Sequence, residues 1–343
     1  MSKNINVLLI GSYPPPYGGI SVHIKRLYQY LLKKGNKCQI LHTGSNSLQL
    51  NNNKDIFKIF EIFKLIKVKK TNPIVHIHVS ALHNLLKIFL LSSFFNKQRK
   101  IITIHSGTFI KNLKKQSNLR YVLLKKVFKN FHYIIAVNAE QKKLLIDRLK
   151  IIEAKIVVIP AFIYPTASIK EFSQKDVSLI KQANKIKIVM SGYLLEFYGY
   201  ELVLDYLENN ENYMGFFIFY GTNDEKYKIR IINRITNMKN VYYYCDLKPT
   251  GFNWLLKNSD IYVRNTDRDG DSVAIREALY WGLSVYATNV VERPKGTKLF
   301  TFNNKSDFRI AIQNVIIQPN NGKIDLEMNY ANNIYELYKG LTY

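Results

Sequence analysis

Short apolar runs alternate with helical segments along nearly the whole chain, and this alternation constrains the fold more than any other feature of the sequence. The first run, residues 5–11, is largely apolar and ends in glycine, which is typical of a strand buried on both faces of a parallel sheet. A helical pattern follows, with apolar residues at Ile20, Ile24, Leu27 and Leu31. Strands that alternate with helices predict doubly wound α/β domains with parallel sheets.

The alternation runs through the chain twice, with a break at residues 160–168, where two prolines occur and polar residues follow. We therefore predict two Rossmann-like domains, residues 1–165 and 166–343, joined by this segment as a linker; the last helix could pack back on the first domain. Paired domains of this kind usually bind their ligand in the cleft between them, at the carboxyl ends of the strands. The predicted strands are 5–11, 38–42, 74–78, 101–104, 133–137, 156–159, 186–190, 215–220, 241–244, 261–263 and 283–288, and the second series has helices at 200–207, 226–235 and 274–281.

Length and composition fit two ordinary buried cores, because 47% of the 343 residues are apolar. The most apolar run, residues 85–95, contains Lys87 and is too short to span a bilayer. The apolar run near the N-terminus is also brief, so it predicts a strand rather than a signal peptide. Cys38 and Cys245 lie far apart and indicate neither a disulfide framework nor a zinc site. The predicted location is the reducing cytoplasm.

Positive charge is concentrated in the first half of the chain. Residues 1–165 contain 28 Lys or Arg and 5 Asp or Glu, a balance of +23, whereas the rest of the chain supplies only +2 of the total of +25. A lysine-rich genome would charge both halves alike, so the asymmetry indicates an anionic partner for the first half. We find no nucleic-acid recognition motif, which favours an anionic membrane surface over nucleic acid.

Two basic segments, residues 54–70 and 111–129, carry much of this charge. In both segments lysines are interleaved with apolar residues, as in amphipathic helices that lie on anionic lipid. Ordinary helices of a Rossmann-like domain with a lysine-rich outer face are the alternative. The sequence favours a cytoplasmic protein bound peripherally to the inner face of the cell membrane.

Two short motifs stand where such folds bind ligands. Gly18 and Gly19 precede the first helix, where glycine allows a ligand close to the backbone and free amides suit a phosphate. A Gly-Gly pair after three prolines is also an ordinary turn. His105 ends a predicted strand and would face the ligand-binding edge of the sheet, although a lone histidine is more often structural.

The most informative motif spans residues 266–279, Thr-Asp-Arg-Asp-Gly-Asp-Ser-Val-Ala-Ile-Arg-Glu-Ala-Leu. Asp269 and Glu277 lie eight positions apart, and their carboxylates could accept hydrogen bonds from the vicinal hydroxyls of a sugar or ribose. A predicted helix begins between them, and its N-terminus favours an anionic diphosphate. The backbone amides at this place belong to Gly270, Asp271, Ser272 and Val273. An acidic helix cap with a surface glutamate is the alternative, but it does not require the glycine, the spacing and the following strand together.

These motifs resemble those of glycosyltransferase family four, retaining enzymes of the GT-B fold, over almost the whole chain. Pro-Pro-Tyr-Gly-Gly-Ile is similar to the family's donor-contacting glycine loop, and the segment from Asp269 to Glu277 is similar to its Glu-x7-Glu signature. The resemblance implies that Glu277 holds the donor ribose, that Asp269 contacts the donor sugar and that the amides after Gly270 bind near the diphosphate. It also implies that Gly19 approaches the diphosphate and that His105 lies beside the transferring sugar.

Two features depart from the family pattern. The signature begins with Asp269 rather than glutamate, so its first carboxylate is one methylene shorter. Tyr193 and Tyr198 stand where the family usually has the arginine and lysine that clamp the diphosphate. Tyrosine brings no positive charge at neutral pH, so another cation must stabilise the leaving group. Several cations lie around the carboxylate motif in the sequence: Arg264, Arg268, Arg276, Arg293 and Lys295. The first candidates are Arg264, which ends a predicted strand, and Arg268, which immediately precedes Asp269.

The resemblance implies a retaining glycosyltransferase that transfers a sugar from a nucleotide-sugar donor to a lipid-linked or surface-polysaccharide acceptor. The expected nucleotide of the donor is UDP. No cofactor and no protein-bound metal are expected. The first domain would face the acceptor and the membrane, and the second would bind the nucleotide sugar. Two alternatives stay open: a GT-B enzyme of other chemistry, such as an epimerase or phosphorylase, and an inactive paralogue that binds a nucleotide sugar or a partner protein.

Overall fold

The strands of the computed structural model form two separate sheets, one of seven strands and one of six, and the described strand pairs are all parallel. Each sheet belongs to its own unit: the N-terminal unit comprises residues 1–163 and 329–343, and the C-terminal unit comprises residues 164–328. The structure describes residues 4–15, 17–44, 53–79, 85–105, 113, 118–181, 184–313 and 330–342. The two parallel α/β units confirm the predicted fold class.

The sheet of the N-terminal unit has the order β3-β2-β1-β4-β5-β6-β7. Its strands are β1 Asn6–Gly11, β2 Lys37–His42, β3 Ile56–Lys58, β4 Ile74–Val79, β5 Arg99–Ile104, β6 Tyr133–Ala136 and β7 Ile156–Val158. Among the described residues before the C-terminal unit, its helices are α1 Gly19–Lys33, α2 Ile62–Thr71, α3 Leu85–Phe94, α4 Asn118–Lys129 and α5 Ala139–Asp147.

Helices cover both faces of this sheet, which explains why β1 is apolar at successive positions. Leu8 and Ile10 point to the face on which α2, α3, α4 and α5 pack. Val7 and Leu9 point to the opposite face, where they pack with buried residues of α1. A strand whose two faces are both buried cannot alternate apolar and polar residues.

The sheet of the C-terminal unit has the order β10-β9-β8-β11-β12-β13. Its strands are β8 Ile186–Gly192, β9 Tyr213–Phe219, β10 Val241–Cys245, β11 Ile261–Arg264, β12 Ser284–Thr288 and β13 Thr297–Phe300. Its helices are α6 Gln174–Ile180, α7 Tyr200–Glu208, α8 Glu225–Thr236, α9 Pro249–Lys257, α10 Val273–Tyr280 and α11 Lys305–Gln313. Helices α7, α8 and α11 pack on one face, and α6, α9 and α10 pack on the other.

The last helix, α12 Tyr330–Gly340, packs within the N-terminal unit. Ala331, Ile334 and Tyr338 are buried in the same core as α1. The hydroxyl of Tyr30 on α1 donates to Asn332 Oδ1 at 3.0 Å. The chain thus leaves the C-terminal unit before its last helix.

The prediction of one basic helix over residues 54–70 is wrong. The segment begins with the edge strand β3, which pairs with β2 and buries Phe57, and only then continues as α2. Glu61 ends the turn between them, since its carboxylate accepts a hydrogen bond from the amide of Lys58 at 3.0 Å. In the second basic segment α4 covers residues 118–129, while residues 111, 112 and 114–117 lie outside the described residues. Among the residues that the structure describes, no helix has the length and apolarity needed to cross a bilayer.

Candidate functional site

The carboxyl end of β11 organises the candidate site of the C-terminal unit. β11 lies between β8 and β12, and its last residue is Arg264. The guanidinium of Arg264 donates from Nε and Nη2 to the two carboxylate oxygens of Asp269, each at 3.1 Å. Its Nη1 donates to the backbone carbonyl of Ser191 on β8 at 3.1 Å. A bidentate ion pair therefore closes the loop that follows β11.

A second arginine reaches the same carboxylate. Arg293 Nη1 donates to Asp269 Oδ2 at 2.7 Å. Its other nitrogens donate to the carbonyl of Thr288, at 2.9 Å, and to the Thr288 hydroxyl, at 3.2 Å. The side chain of Arg293 is only 2% exposed. Two buried guanidiniums thus share one carboxylate, which leaves an excess of one positive charge.

The Asp269 carboxylate is fully used by these contacts. Besides the three arginine hydrogen bonds it accepts one from the amide of Gly270, at 3.0 Å. A carboxylate has about four acceptor positions, so these bonds fill its capacity. Burial alone would raise the pKa of Asp269, but the guanidiniums of Arg264 and Arg293 outweigh it and hold the pKa below the ordinary value. Asp269 is therefore an anion that orients two cations.

Tyr198 supports the arginine of β11. Its buried ring lies under the Arg264 guanidinium, 4.9 Å from the ring centroid. The ring occupies the space beside Gly192 at the end of β8, where a Cβ would approach it to 2.2 Å. Tyr198 is one of the two tyrosines predicted to stand at the family's cationic positions, and its ring thus packs against an arginine from another strand, Arg264. Tyr193, the other, is partly exposed.

An asparagine clamp fixes the backbone just beyond Arg264. Buried Asn265 donates to the carbonyl of Gly199 at 2.7 Å and to the side chain of Asn303 at 2.8 Å. Gly199 precedes α7 with φ of +51°, and an added Cβ would lie 2.3 Å from the Asn265 amide nitrogen. Glycine is required here both by its dihedral angle and by the close approach of the clamp.

Glu277 lies on α10, is buried, and is held by a chain of hydrogen bonds. Its Oε1 accepts from the Asn253 side chain of α9 at 2.9 Å. Asn253 in turn accepts from the indole nitrogen of Trp281 at 2.8 Å. This chain fixes the rotamer of a carboxylate one helical turn inside α10, behind the loop that carries Asp269.

The loop between Asp269 and α10 has its own ion pair. Arg276 Nε donates to Asp271 Oδ1 at 2.7 Å, and both side chains are largely buried. Ser272 precedes α10 as its N-cap residue, and Val273 is the first residue of the helix. Gly270, Asp271 and Ser272 are all partly buried, so the segment predicted to bind the diphosphate is a partly buried loop that leads into α10.

Arg268 is not brought into this cluster. Its side chain is 48% exposed, and it donates to Asp267, its own neighbour, at 2.5 and 2.8 Å. Its guanidinium also lies over the ring of Phe197. Arg264 therefore has the geometry of a buried site cation and Arg268 does not.

In the N-terminal unit, His105 belongs to a group of histidines. It follows β5, and its Nε2 lies 3.0 Å from Nδ1 of His78 on β4. His23 on α1 packs edge-on against His105, with ring centroids 4.9 Å apart. Burial lowers the pKa of all three rings: that of His23 falls to about 4, and those of His78 and His105 fall well below the ordinary value. The three imidazoles are uncharged at neutral pH.

The glycine loop before α1 forms a compact turn. Gly18 is the N-cap residue of α1, and its amide donates to the Ser21 hydroxyl at 3.0 Å. That hydroxyl donates back to the Gly18 carbonyl at 3.1 Å. Gly19 is the first residue of the helix and is exposed.

Sequence reasoning found Asp269, Arg264 and Glu277 but missed how they are connected. It counted Arg293 only as one of several nearby cations, because a residue 24 positions from Asp269 reaches the carboxylate through the fold. It also missed His78, although one signal was present. His78 and His105 stand near the carboxyl ends of two predicted strands, and such ends meet when the strands are neighbours in the sheet.

Solved structures share this architecture over nearly the whole chain. A glycosyltransferase from Rickettsia africae is 16% identical with a TM-score of 0.68, and the match covers 99% of each chain. Sucrose-phosphate synthase from Thermosynechococcus elongatus is 13% identical with a TM-score of 0.72, covering 98% of this chain and 99% of that one. HepE of Anabaena, in complex with UDP and glucose, is 14% identical with a TM-score of 0.67, covering 99% and 96%. A comparison with curated protein sequences gives no match.

The two parallel-sheet units and these structural matches define a protein of the GT-B fold class. Residues 17–166 match the family model described as Glycosyltransferase Family 4, and all but the last three of these residues lie in the N-terminal unit. The N-terminal unit thus matches the glycosyltransferase family that the motifs of the chain predicted.

Proposed function

We propose that this enzyme transfers a sugar, with retention of configuration, from a UDP-linked donor to a lipid-linked or surface-polysaccharide acceptor at the inner face of the cell membrane. The observation that carries the donor half of the proposal is the buried pair of guanidiniums, Arg264 and Arg293, around Asp269. The complex of HepE with UDP and glucose supports a uridine diphosphate donor by analogy of fold.

The excess positive charge of this cluster suits the leaving group of the reaction. As the bond between the donor sugar and the diphosphate breaks, negative charge grows on the diphosphate, and a fixed cation in a buried site lowers that barrier. The adjacent amides of Asp271, Ser272 and Val273 add donors at the start of α10, whereas the amide of Gly270 is already bonded to Asp269. We propose that Arg264 and Arg293 together replace the basic clamp of the family, and that Asp269 acts by positioning them.

The other predicted site residues have complementary roles in this proposal. Glu277, fixed by Asn253, accepts hydrogen bonds from the ribose hydroxyls. His105 contacts the transferring sugar, and Gly18 and Gly19 contribute backbone close to the donor, as the resemblance implies. The acceptor hydroxyl attacks the donor carbon on the face that the diphosphate leaves. Its proton passes to a departing phosphate oxygen, so the reaction balances without a protein nucleophile.

The membrane half of the proposal is supported by one face of the N-terminal unit. Helix α2 buries Leu65 and Val68 against the sheet, while Phe63 is 90% exposed and Phe60, just before the helix, is 86% exposed. Lysines flank these rings at positions 58, 64, 67 and 70. Large exposed aromatic residues beside lysines are typical of surfaces that enter the interface of an anionic membrane.

Exposed apolar residues continue on two of the other helices that pack on the same face of the sheet. Leu90 on α3 is exposed, and so are Val122 and Leu123 on α4. The Lys69 ammonium lies over the ring of Phe94, 4.3 Å from its centroid, which joins α2 to α3. We call these exposed residues of α2, α3 and α4, together with Phe60, the apolar-basic face. Two phenylalanines that are 86% and 90% exposed beside further exposed apolar residues favour this face over an ordinary lysine-rich outer face.

A panel of nucleotide sugars tests the donor half. We expect UDP-sugars to raise the thermal unfolding temperature more than GDP- or CMP-sugars, because a ligand that binds only the folded state stabilises it. Release of UDP without added acceptor would then show turnover. Binding without any release would favour the binding-protein alternative, and an unchanged unfolding temperature with the whole panel would contradict a nucleotide-sugar donor.

A further inference from the structure

Three histidines of the N-terminal unit converge from separate elements. His23 comes from α1, His78 from β4 and His105 from the residue after β5. β4 and β5 are parallel neighbours, so His78 and His105 lie at the same edge of the sheet. One ring nitrogen of each histidine lies within 4.8 Å of one ring nitrogen of each of the other two.

One nitrogen of this cluster is placed to bind a ligand. Nε2 of His23 is buried and has no hydrogen-bond partner among the described residues. Nδ1 of His23 lies 2.9 Å from the carbonyl of Ala161, which can only accept, so Nδ1 carries the proton and Nε2 presents a lone pair. Leaving such a nitrogen buried and unbound costs free energy, which points to a ligand.

We propose that His23, His78 and His105 form a binding site for a transition-metal ion of the Zn²⁺ type. Three imidazole donors suit Zn²⁺, Ni²⁺ or Cu²⁺ and do not suit Mg²⁺ or Ca²⁺. Tetrahedral zinc with Zn–N bonds of about 2.0–2.1 Å separates its ligand nitrogens by roughly 3.3 Å. Nδ1 of His78 and Nε2 of His105 lie 3.0 Å apart, which is close to that spacing, and the metal would replace the hydrogen bond between these two nitrogens.

The surroundings resemble those of protein-bound zinc. The hydrogen bond from His23 Nδ1 to a backbone carbonyl is the contact that orients many metal-binding histidines. His76 stacks beside His78, with ring centroids 4.1 Å apart. Both nitrogens of His76 are already used, by Tyr338 and Thr103. His76 therefore braces the cluster without joining the ligands, and three ligands leave a fourth position open.

Metal binding would have a consequence for catalysis. A metal ion on His105 would occupy the side chain that the proposed function places beside the transferring sugar. Zn²⁺ would therefore inhibit transfer. This consequence rests on the proposed function, whereas the metal site itself does not, so the two are measured separately.

Cobalt substitution tests the site directly. Untagged protein carrying Cys245→Ser, which removes the exposed thiol, is titrated with Co²⁺ and then with Zn²⁺. We expect the intense visible absorption of tetrahedral cobalt to saturate at one equivalent and to disappear as Zn²⁺ displaces Co²⁺. His23→Gln, His78→Gln and His105→Gln should each lose this absorption. His132→Gln, which changes an exposed histidine of the same unit, should keep it.

If a histidine variant fails to fold, a measurement on protein with all three histidines intact still tests the metal site. X-ray absorption of the zinc-loaded Cys245→Ser protein should show three imidazole nitrogens at about 2.0–2.1 Å. No cobalt absorption at one equivalent, the same absorption in all three variants, or fewer than three imidazoles around zinc would overturn the proposal. Zinc binding without loss of transfer would keep the metal site and contradict the role given to His105 in the proposed function.

Discussion

At the scale of single residues, the candidate site depends on what the buried carboxylate of Asp269 can do. Asp269 could contact a sugar hydroxyl only by giving up one of the hydrogen bonds that it accepts. Two buried guanidiniums without that carboxylate would repel each other in a medium that screens charge poorly. Asp269 is therefore best understood as the anion that allows Arg264 and Arg293 to lie together.

This role predicts a pH-dependent stability difference between the wild type and Asp269→Asn. The pKa of Asp269 is depressed in the folded state, so its contribution is present above the unfolded-state pKa of about 3.9 and is lost as pH falls through the folded value. Urea unfolding at pH 7 should show a loss of about 3–5 kcal/mol in the variant, as for a broken buried ion pair. The difference in free energy of unfolding between the wild type and the variant should narrow below about pH 4. Glu292→Gln, at an exposed position, is the control; an equal gap at all pH values would contradict the ion-pair account.

Glu277 gives a second residue-scale prediction, on donor affinity. Glu277→Ala should weaken the binding of UDP by about 1.5–3 kcal/mol, because charge-assisted hydrogen bonds to the ribose are lost. Calorimetry measures this. Asn253→Asp is informative beside it, since it leaves Glu277 in place but removes the amide that orients it. Wild-type affinity of a folded Glu277→Ala variant would remove Glu277 from the donor site.

At the scale of elements, the sequence predicted most strands and the helix that carries the signature. β8, β11 and α10 were predicted to within three residues at each end, since a doubly covered parallel strand is apolar at successive positions. The prediction of one helix over residues 54–70 failed because a three-residue edge strand and a helix share one run of apolar and basic residues. Such a short strand is defined by its pairing with β2, which local pattern does not reveal.

The candidate site divides in the same way. The motif at residues 266–279 and the strand end just before it identified Asp269, Glu277 and Arg264, which lie within fourteen consecutive residues. Other contacts depend on which elements are neighbours in the fold. They are the bond from Arg293 to Asp269, the Tyr198 ring under Arg264, and the approach of His23 to His78. No single stretch of sequence contains that information.

The start of α7 gives an element-scale prediction of stability. Gly199→Ala should destabilise the C-terminal unit by at least about 2 kcal/mol, because it combines a left-handed residue with a close approach to Asn265 and Asn303. Gly296→Ala is the matched control. Its φ of +91° is also positive, but its Cβ would meet only Leu279, at an ordinary 3.5 Å. Equal losses in the two variants would show that the clamp contributes nothing beyond dihedral strain.

Helix α2 gives the corresponding prediction for the membrane. Phe63→Ser should weaken sedimentation with anionic liposomes by about tenfold or more, since burying a phenylalanine side chain contributes about 1.5–3 kcal/mol. Leu32→Ser, on the exposed side of α1 across the sheet, should bind as the wild type does. High salt should release the wild type, because lysines supply much of the attraction. Equal binding of both variants would exclude the apolar-basic face as the contact.

At the scale of the whole molecule, the two units divide the work that the sequence assigns to them. The N-terminal unit holds nearly all of the excess positive charge and the apolar-basic face. The C-terminal unit is almost neutral overall, and its site concentrates one excess positive charge around a single carboxylate. In the proposed function, the basic surface of the N-terminal unit attracts the protein to anionic lipid, and the buried cations of the C-terminal unit act on one bound diphosphate.

The most direct test of the central claim separates turnover from donor affinity in arginine variants. In UDP-sugar turnover, Arg264→Ala and Arg293→Ala should each lower kcat by roughly 10²–10³-fold, as when a group that stabilises the charge of the transition state is removed. The donor Kd should rise by a smaller factor, because the clamp matters most as charge develops. Arg234→Ala is the control and should retain wild-type kcat, because it removes from α8 an arginine that pairs with two carboxylates of α7. If folded Arg264→Ala and Arg293→Ala both keep wild-type kcat, the two arginines are not the diphosphate clamp.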